Sequence, residues 1–349
     1  MKVIKADIIR FLILFTLIFN SLISKAIEPT WNVDMGAIFD NREGDEKHTR
    51  AETHFFVSLA PEVGLKFTST DRIAAGAVWI QPLENSIRNG TLYPTVYYRH
   101  TGEKWNFSMG LFPMDQLKEP LPGFLWCDSL TYYQKNIRGA LVQYKIPSAY
   151  FEAYIDWRGM ESRTQREAFN IVFHGEKRPG CRRFLFGGYA MMNHLAKTLG
   201  ENQGQFVVDN FLLNPYIGID LSKKTVLDSI MIKGGALLTV ERDRKIGKWN
   251  VPAGFWLDLT AEWKFLGARN SLYAGGKLFP LYGEYGSLLY QGEPYYASSF
   301  YDRLDVYAKI YRNKYVDLEA QLNFNFTSQG FMFYQRLLLN INVGNLTSR

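Results

Sequence analysis

Charged residues recur in this chain at alternate positions beside apolar ones. Glu152, Asp156 and Arg158 share one face of an alternating segment, Asp258, Glu262 and Lys264 another, Arg303, Asp305 and Lys309 a third, and Asp317 and Glu319 a fourth. Side chains of a strand point to opposite faces with period two, so each set lines one side of a strand whose other side is apolar. An ion buried alone in hydrocarbon is prohibitively costly, so these faces require water or paired charge. Hydrolytic chemistry leaves a weaker trace. His54, His100, His174 and His194 fall on different segments, and no spacing ties one of them to a particular Ser and carboxylate. The chain has no H-E-x-x-H helix, no G-x-S-x-G elbow and no phosphate-cradling glycine loop. No catalytic residue, metal site or cofactor is expected on these grounds, and the chain reads as a non-enzyme.

The elements that carry these charges are strands. Val316, Leu318, Ala320, Leu322, Phe324 and Phe326 interleave with Asp317, Glu319, Gln321, Asn323 and Asn325. About sixteen such segments of about ten residues, with aromatic residues at their ends, are the pattern of a transmembrane β-barrel. The outward faces would meet lipid: Leu257, Leu259 and Ala261 on one strand, Leu304, Val306, Ala308 and Ile310 on another, and Leu337, Leu339, Ile341 and Val343 on the last. Trp105, Trp157, Trp263 and Phe265 sit at strand ends, where amphipathic rings suit the headgroup level. The expected fold is all-β, an antiparallel up-and-down transmembrane barrel of about sixteen strands, with fourteen or eighteen left open by a hairpin miscount.

Composition agrees. The 349 residues are 47% hydrophobic and 15% aromatic, and a mean hydropathy of -0.18 is too polar for a bundle of membrane helices. The one long apolar run is at the start. Lys2, Lys5 and Arg10 precede Phe11 to Leu22, and Ser24-Lys25-Ala26 follows, so residues 1–26 read as a secretory signal peptide and 27–349 as one barrel domain. The leader's four basic residues and Asp7 account for half of the formal charge of +6, so nucleic-acid binding is not expected. Cys127 falls in an outer loop and Cys181 at an inner turn, too far apart across the apolar wall to pair, which predicts two free thiols.

Three marks recur in order: Leu59-Ala60-Pro61-Glu62-Val63-Gly64-Leu65 with Leu213-Asn214-Pro215-Tyr216-Ile217-Gly218-Ile219, Gly110-Leu111-Phe112-Pro113-Met114 with Lys277-Leu278-Phe279-Pro280-Leu281, and Tyr150-Phe151-Glu152-Ala153 with Tyr315-Val316-Asp317-Leu318-Glu319-Ala320. They suggest a duplication relating residues 51–158 to 206–325, with the two Leu-Phe-Pro loops on opposite walls.

Leader, alternation, loop parity and aromatic girdle together resemble a Gram-negative outer-membrane porin over essentially the whole chain. The resemblance implies a bacterial outer-membrane location and passive diffusion of small hydrophilic solutes, with membrane lipid and those solutes as partners and a homo-oligomer left open. It also implies that the third outer loop enters the lumen, so Asp115, Lys118, Glu119 and Asp128 would line a constriction facing wall arginines and lysines. Trp126 and Tyr285, in two ring-rich loops, could stack on sugars as in sugar-specific porins. The alternatives are a plugged receptor or assembly barrel, or an outer-membrane hydrolase. The C-terminal Asn345-Leu346-Thr347-Ser348-Arg349 departs from the terminal aromatic residue of many such barrels.

Overall fold

The computed structural model describes residues 27–83, 89–180, 183–200 and 204–345. The expected signal peptide, Cys181 and the last four residues lie outside the described residues. Among the described residues no helix is long and apolar enough to cross a membrane. The strands do the crossing. They are β1 (Glu28–Asp45), β2 (Glu52–Lys66), β3 (Asp71–Pro82), β4 (Thr91–Thr101), β5 (Trp105–Pro113), β6 (Asn136–Ile146), β7 (Ala149–Gly159) and β8 (Ala168–Lys177). The second half comprises β9 (Phe184–Leu195), β10 (Val208–Asp220), β11 (Ser229–Asp243), β12 (Ala253–Trp263), β13 (Leu266–Gly275), β14 (Phe300–Arg312), β15 (Val316–Thr327) and β16 (Phe331–Gly344).

Each strand pairs with its sequence neighbours, and β1 pairs antiparallel with β16 from Asn32↔Gly344 to Asp45↔Phe331, so the sheet closes on itself. The barrel has sixteen strands. Closure follows from the solvent, because an open edge would leave backbone N–H and C=O groups unpaired in hydrocarbon, at several kcal/mol each. Because a one-residue slip would exchange the two faces, the apolar pattern also sets the register. Ile217 is 73% exposed, Val63 66% and Met109 61%, on the outside of strands far apart around the ring. So much apolar surface facing outward is untenable in water and suits a lipid belt. Trp105, Trp157, Trp263 and Phe265 stand exposed near strand ends, as the girdle pattern expects.

Short turns join the strands at the end bearing the N-terminus, which identifies it as the periplasmic end. Two periplasmic connections are longer, 178–183 and 221–228, and an Arg178–Asp220 ion pair of 2.7 Å ties them together. At the other end two long loops stand out, L3 (114–135) between β5 and β6 and L7 (276–299) between β13 and β14. They leave the ring eight strands apart.

Candidate functional site

Both loops turn inward and meet in the lumen. L3 is drawn together at its neck, where Met114 N–H donates to the Lys135 carbonyl at 2.8 Å. After a 3-10 turn at Met114–Gln116 its α-helix, α1 (Asp128–Tyr133), places Asp128 in the first turn, where a carboxylate suits the unpaired N–H groups and the helix dipole. L7 carries a one-turn helix, α2 (Tyr282–Tyr285), followed by 3-10 turns at Gly286–Leu288 and Pro294–Ala297. The loops clasp through backbone hydrogen bonds: Cys127 N–H to the Gln291 carbonyl and Glu293 N–H to the Gly123 carbonyl, both 2.7 Å. Gly292 lies so close to the Phe124 carbonyl that a β-carbon would collide with it.

An aromatic core fills the space between loops and wall. Phe124 is buried edge-to-face against Tyr189 of β9, Trp256 of β12 and Tyr296 of L7, with centroids 5.8 to 6.2 Å apart. Phe279 stacks on Tyr290 at 4.5 Å, and the Tyr295 hydroxyl meets that of Tyr334 on β16. Such rings contribute mainly through the apolar area they bury, with a further ~0.5–1.5 kcal/mol per well-oriented pair.

Above this core a charged cluster pins L3 to the wall. Arg303 Nη1 and Arg336 Nη2 donate to Asp128 Oδ2 at 2.9 and 2.6 Å. Arg336 also faces Asp40 at 3.2 Å, its direct partner across the β1–β16 seam. Asp40 in turn accepts from Arg42 at 2.9 Å and from the Tyr132 hydroxyl at 2.9 Å. Glu293 accepts from the Asp128 N–H at 2.8 Å. Burial alone would raise the Asp128 carboxyl, but the guanidiniums of Arg303 and Arg336 outweigh it and hold it well below the usual carboxylate range. Glu293 goes the other way: burial, reinforced by the Asp128 charge and opposed by Arg303, pushes it up to about 7.

On the periplasmic side L3 rests on β7 and β11. Lys118 N–H donates to Glu152 at 2.9 Å, Gln134 donates to Asp156 at 2.7 Å, and Glu119 lies 3.9 Å from Lys233. His174 is buried beside this contact, stacked on Tyr189 at 3.8 Å, hydrogen-bonded to Tyr150 and Tyr216, and 3.6 Å from Glu152. Between L3 and the inner faces of β1–β4 and β16 lies a cavity of about 540 Å³, lined by Asp34, Glu62, Arg72, Asp115, Lys118, Lys135 and several carboxamides.

Glu152, Asp156, Arg158, Asp258, Glu262, Arg303, Asp305, Lys309, Asp317 and Glu319 lie on strands in lumen-facing register. Several are spent on the plug or on each other: Arg158 donates to the Leu288 carbonyl of L7 at 3.1 Å, and Lys309 pairs with Glu262 at 2.7 Å. Lys264 is a correction. β12 ends at Trp263, so parity stops there, and Lys264 occupies the periplasmic turn at φ 54° with its ammonium 4.7 Å from the Trp263 ring. Asp115, Lys118 and Glu119 line the cavity, whereas Asp128 belongs to the cluster above it. Trp126 lines the cavity but is only 7% exposed. Tyr285 does not join it there, since its hydroxyl is held by Asp243 and its ring lies under Arg166. Asp40, Arg42, Arg336 and Glu293 were not singled out from sequence. The inward parity of β1 and β16 was a usable signal for the first three, but a contact between the first and last strands shows only once the ring closes.

A second group of titratable side chains stands at the outer mouth. His54 Nε2 is 2.9 Å from Glu52 Oε1, and the Tyr133 hydroxyl of L3 is 3.3 Å from His54 Nδ1. Among the described residues no group of three or more His, Cys, Asp or Glu is arranged to hold a metal ion.

This closed, belted barrel with an inward third loop has the fold of an outer-membrane β-barrel. Similar solved structures include Pseudomonas aeruginosa OprD, 8% identical, with a TM-score of 0.55 over 91% of this chain and 96% of that one. Pseudomonas aeruginosa opdK is 9% identical, TM-score 0.53, over 91% and 99%. Pseudomonas putida OprB is 9% identical, TM-score 0.53, over 93% and 96%. At such identities the likeness is one of fold. No curated protein matches the chain by sequence. The profile described as Lipid A 3'-O-deacylase-type matches residues 28–348, and the chain belongs to that family. Membership in a family of deacylase type overturns the expectation that the chain is not an enzyme.

Proposed function

We propose that the barrel is a gated outer-membrane channel for small hydrophilic solutes, closed by the L3–L7 clasp in this conformation. The observation that carries the reading is the cavity of about 540 Å³ beneath L3, whose lining mixes apolar side chains with charged and carboxamide groups, bounded above by loops held through ion pairs and hydrogen bonds rather than covalently. Sixteen strands enclose a lumen wide enough for an aqueous path once the loops part. The test is single-channel conductance of the refolded full barrel in a planar bilayer, beside a Gly292→Val variant that drives the two loops apart. Rare, brief openings of the parent and long discrete openings of the variant are expected. Silence from both, with each folded, overturns the reading.

A second reading comes from the family: removal of an acyl group from the 3'-oxygen of lipid A, or of an ester like it. The Glu52–His54 pair is the observation that favours it. Glu52 would orient the imidazole by accepting from Nε2–H, and once the Tyr133 hydroxyl swings away from Nδ1, that nitrogen would take a proton from water as the water oxygen attacks the acyl carbon. The same proton would then pass to the departing sugar oxygen, giving a free fatty acid and an alcohol. A carboxylate-oriented His acting as general base contributes about 10²–10⁴-fold. Mass spectrometry of purified lipid A incubated with the barrel should show loss of one acyl chain, abolished by His54→Gln. No loss with the parent protein removes this reading.

A further inference from the structure

We propose that the outer wall of β7–β10 holds one anionic phospholipid of the periplasmic leaflet, with an acyl chain in a groove of the lipid-facing surface and its phosphate on Lys177. The inference is independent of whether the barrel conducts or hydrolyses.

Three observations converge. The first is a gap in the wall. A groove of about 390 Å³ lies on the outer face between Phe151 of β7, Phe173 of β8 and Leu213 of β10. Its cause is visible in two rows of direct cross-strand partners, Phe151↔Gly175↔Gly188↔Pro215 and Phe173↔Ala190↔Leu213. Gly175, Gly188 and Ala190 carry little or no side chain, so the middle of both rows is bare, while Phe151, Phe173 and Leu213 stand exposed at their ends. Such a space in a hydrocarbon belt forfeits the contacts its lining would otherwise make, and a flexible chain that fills it recovers them.

The second observation is position. The next row toward the periplasm is Ala149↔Lys177↔Phe186↔Ile217, two residues or about 7 Å further along the strands. Lys177 is the last residue of β8 and is exposed on the same face as Phe173 and Gly175. It therefore stands at the periplasmic rim of the groove, at headgroup level. The third is charge. Lys177 and the exposed Arg183 make no ion pair with a described residue, whereas the neighbouring carboxylates are answered: Asp220 by Arg178 at 2.7 Å, and Glu176 by Arg178 at 2.9 Å and Lys233 at 3.0 Å. Lipid tails are as apolar as the groove, so hydrophobicity alone does not select one lipid over another there. A lysine at the membrane surface does, because it attracts anionic headgroups. The same charge disfavours a second copy of the barrel, which in a two-fold contact would bring its own Lys177 to the same depth.

The experiment is native mass spectrometry of the refolded full barrel, released from detergent micelles that hold phosphatidylglycerol or phosphatidylcholine with the same acyl chains. One phosphatidylglycerol per barrel is expected, held about fivefold more tightly than phosphatidylcholine, the effect of one lysine beside an anionic lipid. Gly175→Leu should abolish retention of both lipids by filling the groove. A β-carbon at Gly175 meets nothing nearer than the Tyr150 carbonyl at 3.4 Å, an ordinary contact, so the strand accepts the change. Lys177→Gln should erase the preference and leave the weaker binding. Ala261→Leu, on the lipid face of β12, should alter neither. Heat-modifiable electrophoretic mobility verifies that each variant is folded. No retained lipid, equal retention of the two lipids by the parent, retention that survives Gly175→Leu, or a preference that survives Lys177→Gln overturns the proposal. A dimer of the parent that Gly175→Leu dissolves also overturns it, since a second copy would then occupy the groove.

Discussion

The two halves of the lumen use charge in opposite ways. In the outer half, Asp40, Arg42, Asp128, Arg303 and Arg336 are locked into one another at 2.6 to 3.2 Å. In the periplasmic half, Lys118 and Lys135 line a cavity and make no ion pair with a described residue. Saturated charge in a buried place fixes geometry, because each group would be costly if its partner left. Unsaturated charge beside a cavity is available to something that enters. Counting inward charges from the sequence could not separate these two uses, since both halves draw on the same alternation.

The sharpest way to break the contrast is to unpair the outer half. Asp128→Asn leaves Arg303 and Arg336 facing a neutral amide in a buried site, where breaking an ion pair costs about 3–5 kcal/mol. L3 should detach, with longer channel openings and new protease cleavage inside 114–135, while the barrel keeps its heat-modifiable mobility. Unchanged L3 protection would show that the aromatic core alone holds the plug.

A smaller effect comes from pH. In the clasped state Glu293 is protonated up to about 7, whereas in an open, solvated loop it would ionise near the ordinary glutamate value. The open state then binds fewer protons between those two values, so the clasp weakens as pH rises through that window and is favoured below it. Open probability should climb from about pH 5 to about pH 8, and Glu293→Gln should flatten that climb. A climb that survives the substitution assigns the pH response to another group.

The smallest effect is chemical. Burial, with the charge of Glu293 beside it, pushes the Cys127 thiol up to about 12, so it should alkylate slowly at neutral pH in a Cys181→Ser background. Adding Asp128→Asn should speed labelling by freeing the loop. Fast labelling of the closed form would place Cys127 in contact with bulk water and contradict the clasp.

Much of the wall was legible along the chain. Period two identified Arg303, Asp305 and Lys309 as lumen-facing and Leu304, Val306, Ala308 and Ile310 as lipid-facing, because parity is local and needs no partner. It failed at Lys264, one residue past the end of β12, where a turn at positive φ ends the alternation. The rings of L3 and L7 were visible as a composition. Their use in a shared core was not, because Phe124 and Tyr296 lie far apart in sequence and meet only after both loops fold inward. The proposed duplication of residues 51–158 and 206–325 rests on sequence marks alone, and superposing the two halves is its test.

By itself the sequence determined an all-β barrel with a polar interior and an apolar exterior, since hydropathy along a strand depends only on which solvent each face must meet. Tertiary structure alone decided that the lumen is plugged rather than open, and which charges are spent. Those outcomes depend on Asp128 reaching Arg336 and on Gly123 meeting Glu293, contacts across 208 and 170 positions. Only a closed ring brings such distant residues within hydrogen-bonding distance.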